Sequence, residues 1–270
     1  MRTMKTLVIT TEKGGVGKTA LCTQFALYAS LRLKKRVLIL DFDSQNNASN
    51  ALRRGTHTTV APFTVYDVIT GQASDTPTAP LVLVPEGDRK TLDLAERPAE
   101  HNQFASNAID YLDGAQAHFD LCIFDTNPAP DIRKTITLCC ADYLLVPVQL
   151  SQEAIEGLTD ILYSPPYGYE HIKSQANREL HLLGLLPVLV EKGPIQTAAF
   201  RALSSDKVLA TLLLKNAEGQ IMGIPKRQAI QEAQELGVFI ADMDKTSARD
   251  TWKLLQPTFM AIANALQLET

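Results

Sequence analysis

Long apolar runs are missing from this sequence. No stretch approaches the roughly 18 consecutive apolar residues of a membrane-spanning helix, so no membrane span is expected. The N-terminal residues, MRTMKTLVIT, run straight into a short strand-like pattern, without the apolar core and small-residue cleavage site of an export signal. Cysteine is scarce: Cys22, Cys122, Cys139 and Cys140 are the four, and no two make a C-x-x-C pair. That usage predicts reduced, packed thiols ahead of a metal or cluster site. Together with the absence of an export signal it predicts a cytoplasmic protein. A strong positive charge is lacking too. The formal net charge is -4, so any contact with nucleic acid has to come from a local patch. Internal repeats and low-complexity tracts are also absent.

What is present is ordinary globular material, 270 residues with 45% hydrophobic content, enough for a large core. Short Val/Ile/Leu runs at 5–10, 36–42, 81–85, 121–125, 143–148 and 182–190 read as strands buried on both faces. Helix-like stretches lie at 18–33, 102–117, 131–141, 152–163, 196–213 and about 247–268. This alternation predicts an α/β fold with a mostly parallel sheet flanked by helices, and a ligand at the carboxyl ends of the strands. Residues 71–80 read as a surface connection, and Pro165 and Pro166 break a helix. No convincing boundary divides the chain, so residues 1–270 are read as one domain.

The segment TEKGGVGKTA (11–20) joins the first strand to the first helix. In strand–loop–helix context, Gly14, Gly15 and Gly17 let backbone N–H groups crowd toward an anion, and the helix dipole favours negative charge there. Lys18 is placed to reach β- and γ-phosphates, and Thr19 to ligate Mg²⁺. The usual G-x-x-x-x-G-K-[ST] pattern fails because position 12 is Glu12 rather than glycine; K-G-G-V-G-K-T is what matches. Lys13 is then surplus to a loop that needs one lysine.

Two acidic positions complete the pattern. Asp41 and Asp43 flank Phe42 at the end of the second strand, so both are expected on one side, at the edge where phosphates belong. Like charges side by side need cations nearby, and lysines with a Mg²⁺–phosphate centre would supply them. Asp125 ends the strand LCIFD, as the acid that holds Mg²⁺ does in phosphate-loop enzymes. Pro128 and Pro130 stiffen the loop that follows, which is placed to sense a γ-phosphate.

These segments, with TVYDVITG (64–71), ADYLLVPVQLSQEAIEGL (141–158) and IPKRQAIQEA (224–233), resemble the ParA/Soj partition ATPases of the MinD-like, deviant Walker A group of P-loop NTPases, over nearly the whole chain. The resemblance implies a homodimer formed in the ATP state, with ATP/ADP and Mg²⁺ as cofactors. It implies that Lys13 crosses to the partner's phosphates, that Lys18 is the phosphate lysine in cis, and that Gly14, Gly15, Val16, Gly17, Thr19 and Ala20 line the nucleotide. Thr19, Asp43 and Asp125 are the metal-site residues, with Asp43 positioning the attacking water. Ile224 and Pro225 fall beside the adenine. Slow hydrolysis stimulated by a ParB-type centromere-binding partner belongs to the same implication. Ser44, Ala20, Asn127 and Ala229 depart from residues common in the family.

The resemblance further implies nonspecific DNA binding and association with the nucleoid. Lys215, Lys226, Arg227, Lys245, Arg249 and Lys253 are the candidate DNA contacts, interspersed with Glu218, Glu232, Asp242, Asp244 and Asp250. The alternative is a MinD-like or cargo-positioning ATPase acting on a membrane or a protein complex. The membrane form needs a basic amphipathic terminal helix, and the tail QPTFMAIANALQLET has no lysine or arginine and ends in Glu269 and a threonine. The first strand begins near residue 5, so no helix-turn-helix extension, and no site-specific repressor role, is expected.

Overall fold

The computed structural model describes residues 3–268 apart from Asp88 and Pro130. The expected stiffening by Pro130 and the acidic end at Glu269 therefore lie outside the described residues. Seven strands form one sheet, β1 (Lys5–Ile9), β2 (Val37–Asp41), β3 (Thr59–Val60), β4 (Leu81–Val84), β5 (Leu121–Asp125), β6 (Tyr143–Gln149) and β7 (His181–Val188). Their order is β3-β4-β2-β5-β1-β6-β7, and every pairing is parallel. The chain leaves β1 toward one edge and later crosses it to reach β6. The crevice at the carboxyl end of β1 is thus the reversal point where such sheets bind ligands.

The helices are α1 (Lys18–Leu31), α2 (Asn47–Arg54), α3 (Val65–Ile69), α4 (His101–Ala115), α5 (Ile132–Cys140) and α6 (Gln152–Glu156), then α7 (Leu158–Tyr163), α8 (Tyr169–Gln175), α9 (Pro194–Ser205), α10 (Leu209–Leu212), α11 (Gln228–Leu236) and α12 (Thr246–Ala265). They form two layers because strand side chains alternate. Leu7, Ile9 and Ile39 face a core built with α1, α11 and α12. Val8, Leu38 and Leu40 face the other, built with α3, α4, α5, α7, α8 and α9. Burial on both faces is why these strands read as continuous apolar runs.

The structure refines several boundaries. The expected helix 196–213 stops at Ser205, where the Asp206 carboxylate accepts the N–H groups of Val208 and Leu209 at 2.9 and 2.8 Å and starts α10. Gly157 divides the expected helix 152–163 into α6 and α7. The elements β3, α2, α3, α8 and α11 were not anticipated. β3 is two exposed residues with no apolar run, and α11 buries only two alanines, Ala229 and Ala233.

One helix layer packs tightly where α1 and α12 meet. Phe25, Tyr28, Phe239, Trp252 and Phe259 form one aromatic cluster, including a Phe239–Trp252 pair at 5.0 Å and 72°. Phe239 is fully buried. Phe239→Ala is expected to destabilise the protein by about 3–5 kcal/mol, the usual range for a truncated core phenylalanine, read as a lower urea midpoint.

Candidate functional site

The loop after β1 turns because two glycines take left-handed backbone, Gly15 at φ 73° and Gly17 at φ 87°. A Cβ built on Gly14, Gly15 or Gly17 meets nothing within 4 Å, so the loop backbone faces open space rather than protein. That space is a cavity of about 650 Å³ running from the loop to the far side of α1. With α1 beginning at Lys18, the first-turn N–H groups have no partners within the helix and point into an anion cradle.

Lys18 is only 6% exposed. Its Nζ donates to the Lys13 carbonyl at 3.4 Å. Burial pulls its pKa below the ordinary value, while Asp125 and Asp43 pull it up. Asp125, at the end of β5, is fully buried, and burial raises its pKa against hydrogen bonds from the Thr19 hydroxyl and the Cys22 thiol. The thiol donates to Oδ1 at 3.4 Å. Oδ2 is buried with no hydrogen-bond partner. An orphaned carboxylate oxygen beside a threonine hydroxyl and a phosphate cradle fits Mg²⁺, which takes one or two carboxylates, the substrate's phosphates and water. No cluster of three or more His, Cys, Asp or Glu ligands occurs among the described residues, so a cation bound by protein alone is not what this site offers.

The two acids after β2 separate in role. Asp43 lines the cavity. Asp41 does not: its Oδ2 accepts the Ser49 N–H at 2.8 Å and the Ser49 hydroxyl at 2.7 Å, and its Oδ1 accepts the Asp43 N–H at 3.1 Å. The expectation that both acids lie on the cavity side therefore fails for Asp41, and Asp43 is the one that lines the cavity. Asp41 ties the strand end to α2. Burial raises its pKa, and repulsion from Asp125 adds to the effect.

Val16, Thr19, Ala20, Ile224 and Pro225 all line the cavity. Ile224 and Pro225 are held there by main-chain bonding to the end of β7, with the Ile224 N–H on the Pro187 carbonyl at 2.8 Å. Lys13 behaves differently. It does not line this cavity, and its Nζ pairs with Glu153 on α6 at 2.9 Å.

Of the candidate DNA contacts, Lys226 and Arg227 sit on the cavity wall. Lys226, Lys245, Arg249 and Lys253 are paired with Glu191, Glu232, Asp244 and Asp250 at 2.6–3.1 Å. Lys215 is exposed on the bridge it forms with Ile221. Gln228, Gln231 and Gln234 also line the cavity and were not picked out beforehand. Their three-residue spacing puts three amides on one helix face, a signal that was present in QAIQEAQ.

Comparison with known proteins agrees with this geometry. The family model of the AAA domain matches residues 4–182. Protein IncC of Escherichia coli is 29% identical, covering 93% of this chain and 67% of its own length. The chromosome-partitioning ATPase Soj of Thermus thermophilus is 28% identical, covering 90% of each chain. Among solved structures, an ATP complex of a Cyanothece McdA variant superposes with a TM-score of 0.75 at 22% identity, covering 100% of this chain and 99% of that one. A Borrelia burgdorferi putative plasmid partition protein bound to AMPPNP gives 0.68 at 20%, covering 95% and 99%. The likeness to ParA/Soj ATPases expected from the motifs, and the P-loop NTPase fold, are borne out.

Ser49→Ala removes one donor from a buried carboxylate. It is expected to cost about 1–3 kcal/mol of unfolding free energy, measured by denaturant titration of the nucleotide-free protein.

Proposed function

The chain belongs to the AAA domain family, and from that premise we propose that it is a ParA/Soj-type partition ATPase: ATP closes two copies into a dimer, the dimer holds DNA without sequence preference, and a ParB-type partner triggers hydrolysis and release. The observation that carries this reading is the convergence of the glycine loop, Lys18, Thr19 and Asp43 on one cavity, with Asp125 buried beneath Lys18 and Thr19, while Lys13 pairs with Glu153 outside it.

In phosphoryl transfer the protein mainly positions groups and offsets charge. The loop N–H groups and Lys18 would hold the β- and γ-phosphates. Thr19 and the free Oδ2 of Asp125 would hold Mg²⁺, which when bound neutralises charge on those phosphates. Asp43, at the cavity edge, would orient the attacking water. Ile224 and Pro225 form the apolar wall suited to a base, with the α11 glutamines as hydrogen-bonding groups near it. Lys13 would reach the phosphates of the second subunit, which makes turnover depend on dimerisation.

Nonspecific DNA binding is the finer part of the proposal. The candidate cations are largely matched with acids, so one copy offers little net charge there, and attraction to DNA phosphates would add over the two subunits of the closed dimer. No helix among the described residues is long and apolar enough to cross a membrane.

Lys18→Ala should abolish Mg-ATP binding measured by calorimetry; retained micromolar affinity would remove the phosphate-loop assignment. Asp43→Ala should give an ATP-bound dimer with little turnover, and hydrolysis at the wild-type rate refutes its role. In gel shifts with ATP, ADP or no nucleotide, DNA should be retained only with ATP and lost steeply as salt rises. Absence of any shift at low salt with ATP sinks the partition reading.

A further inference from the structure

Glu12 and Lys13 are neighbours with opposite commitments. β1 lies between β5 and β6 in the sheet. Glu12 reaches to α5, the helix after β5, and Lys13 to α6, the helix after β6. The two pairs differ in kind. Lys134 on α5 is 1% exposed, with its Nζ 3.4 Å from Glu12 Oε1. Glu153 on α6 is 83% exposed. A pair that is exposed contributes little and opens easily. Separating a buried lysine from the acid it is paired with is strongly resisted. The backbone at residue 12 is therefore pinned, while the side chain of residue 13 is free to leave.

The pinning follows from chemistry around α5. Burial lowers the Lys134 pKa below its ordinary value, and Glu12 is the largest opposing influence. Asp131, the other acid felt by Lys134, is occupied: it caps α5 and takes Arg133, whose nearest contact is 2.6 Å. Glu12 is thus the available anchor for Lys134, and it stands where an ordinary phosphate loop has glycine.

We propose that Lys134 is a positioning residue for Lys13: by holding Glu12 inward against α5 it fixes the loop backbone so that Lys13 projects outward, where a second copy of the chain can be reached. The inference rests on the ATPase reading above. Lys134 does not line the cavity, although its charge is felt by Lys18, so its loss removes no group that would contact phosphate and removes what depends on the direction of Lys13.

Lys134→Met alone leaves an acid without its partner and risks misfolding. The test therefore uses the double variant Glu12→Gln/Lys134→Met, which removes the tether and both charges together, alongside the wild-type chain. Mg-ATP affinity, the ATP-driven dimer by analytical ultracentrifugation, and kcat and KM are measured on both. The double variant is expected to bind Mg-ATP within about threefold of wild type, while kcat and the dimer population fall by about tenfold or more. Wild-type kcat in the double variant overturns the proposal, since Lys134 then only neutralises Glu12. A fall in nucleotide affinity beyond about tenfold also overturns it, by placing Lys134 in the phosphate site. A wild-type chain that neither dimerises with ATP nor hydrolyses it removes the ATPase reading and this inference with it; a competent wild type with an unaffected double variant removes only the inference.

Discussion

Charge burial at the carboxyl edge of the central strands governs this structure. Asp41, Asp43 and Asp125 are all within the buried class, and two of them carry raised pKa values because the interior penalises their ionised forms and they repel one another. Lys18 is buried among them. Such a cluster is stable only if each charge has an assigned partner. Asp41 has Ser49, and Asp125 has the Cys22 thiol on Oδ1 and an open position on Oδ2. The open carboxylate oxygen and the buried lysine together suit a site that takes a cation and an anion side by side.

The sheet order turns that local problem into a shared one. Because β1 is central, its loop is flanked by the helices following β5 and β6, and each takes hold of one of two consecutive residues. Glu12 departs from the usual phosphate-loop glycine and acquires a buried lysine as its partner. Lys13, the apparent surplus cation, is left with an exposed partner. A loop anchored on one side and loose on the other suits a lysine that acts beyond its own subunit.

The same contrast separates the candidate nucleotide site from the candidate DNA face. Cavity residues are held by hydrogen bonds to buried carboxylates and to β7, whereas the surface cations are matched with acids across exposed pairs worth little each. The cavity residues are positioned within one copy of the chain. Any DNA surface would depend on the summed charge of two copies.

Much of this was legible in the chain. Continuous Val/Ile/Leu runs marked the buried parallel strands, and GGVGKT with Asp43 marked the cavity, because a glycine-rich strand–helix turn and an acid at a strand end are set by local backbone geometry. The elements missed, β3, α2, α3, α8 and α11, are short or polar, and their form comes from what they pack against. Periodicity along the sequence determined which strands would be buried and where the anion cradle would turn, since both are local properties. Only the tertiary structure decided that Asp41 serves Ser49 rather than the phosphates, that Lys134 pairs with Glu12 across 122 positions, and that Lys13 faces away from its own cavity. These outcomes depend on which distant side chains meet at the reversal of the sheet, and a single chain read in order carries no direct record of that.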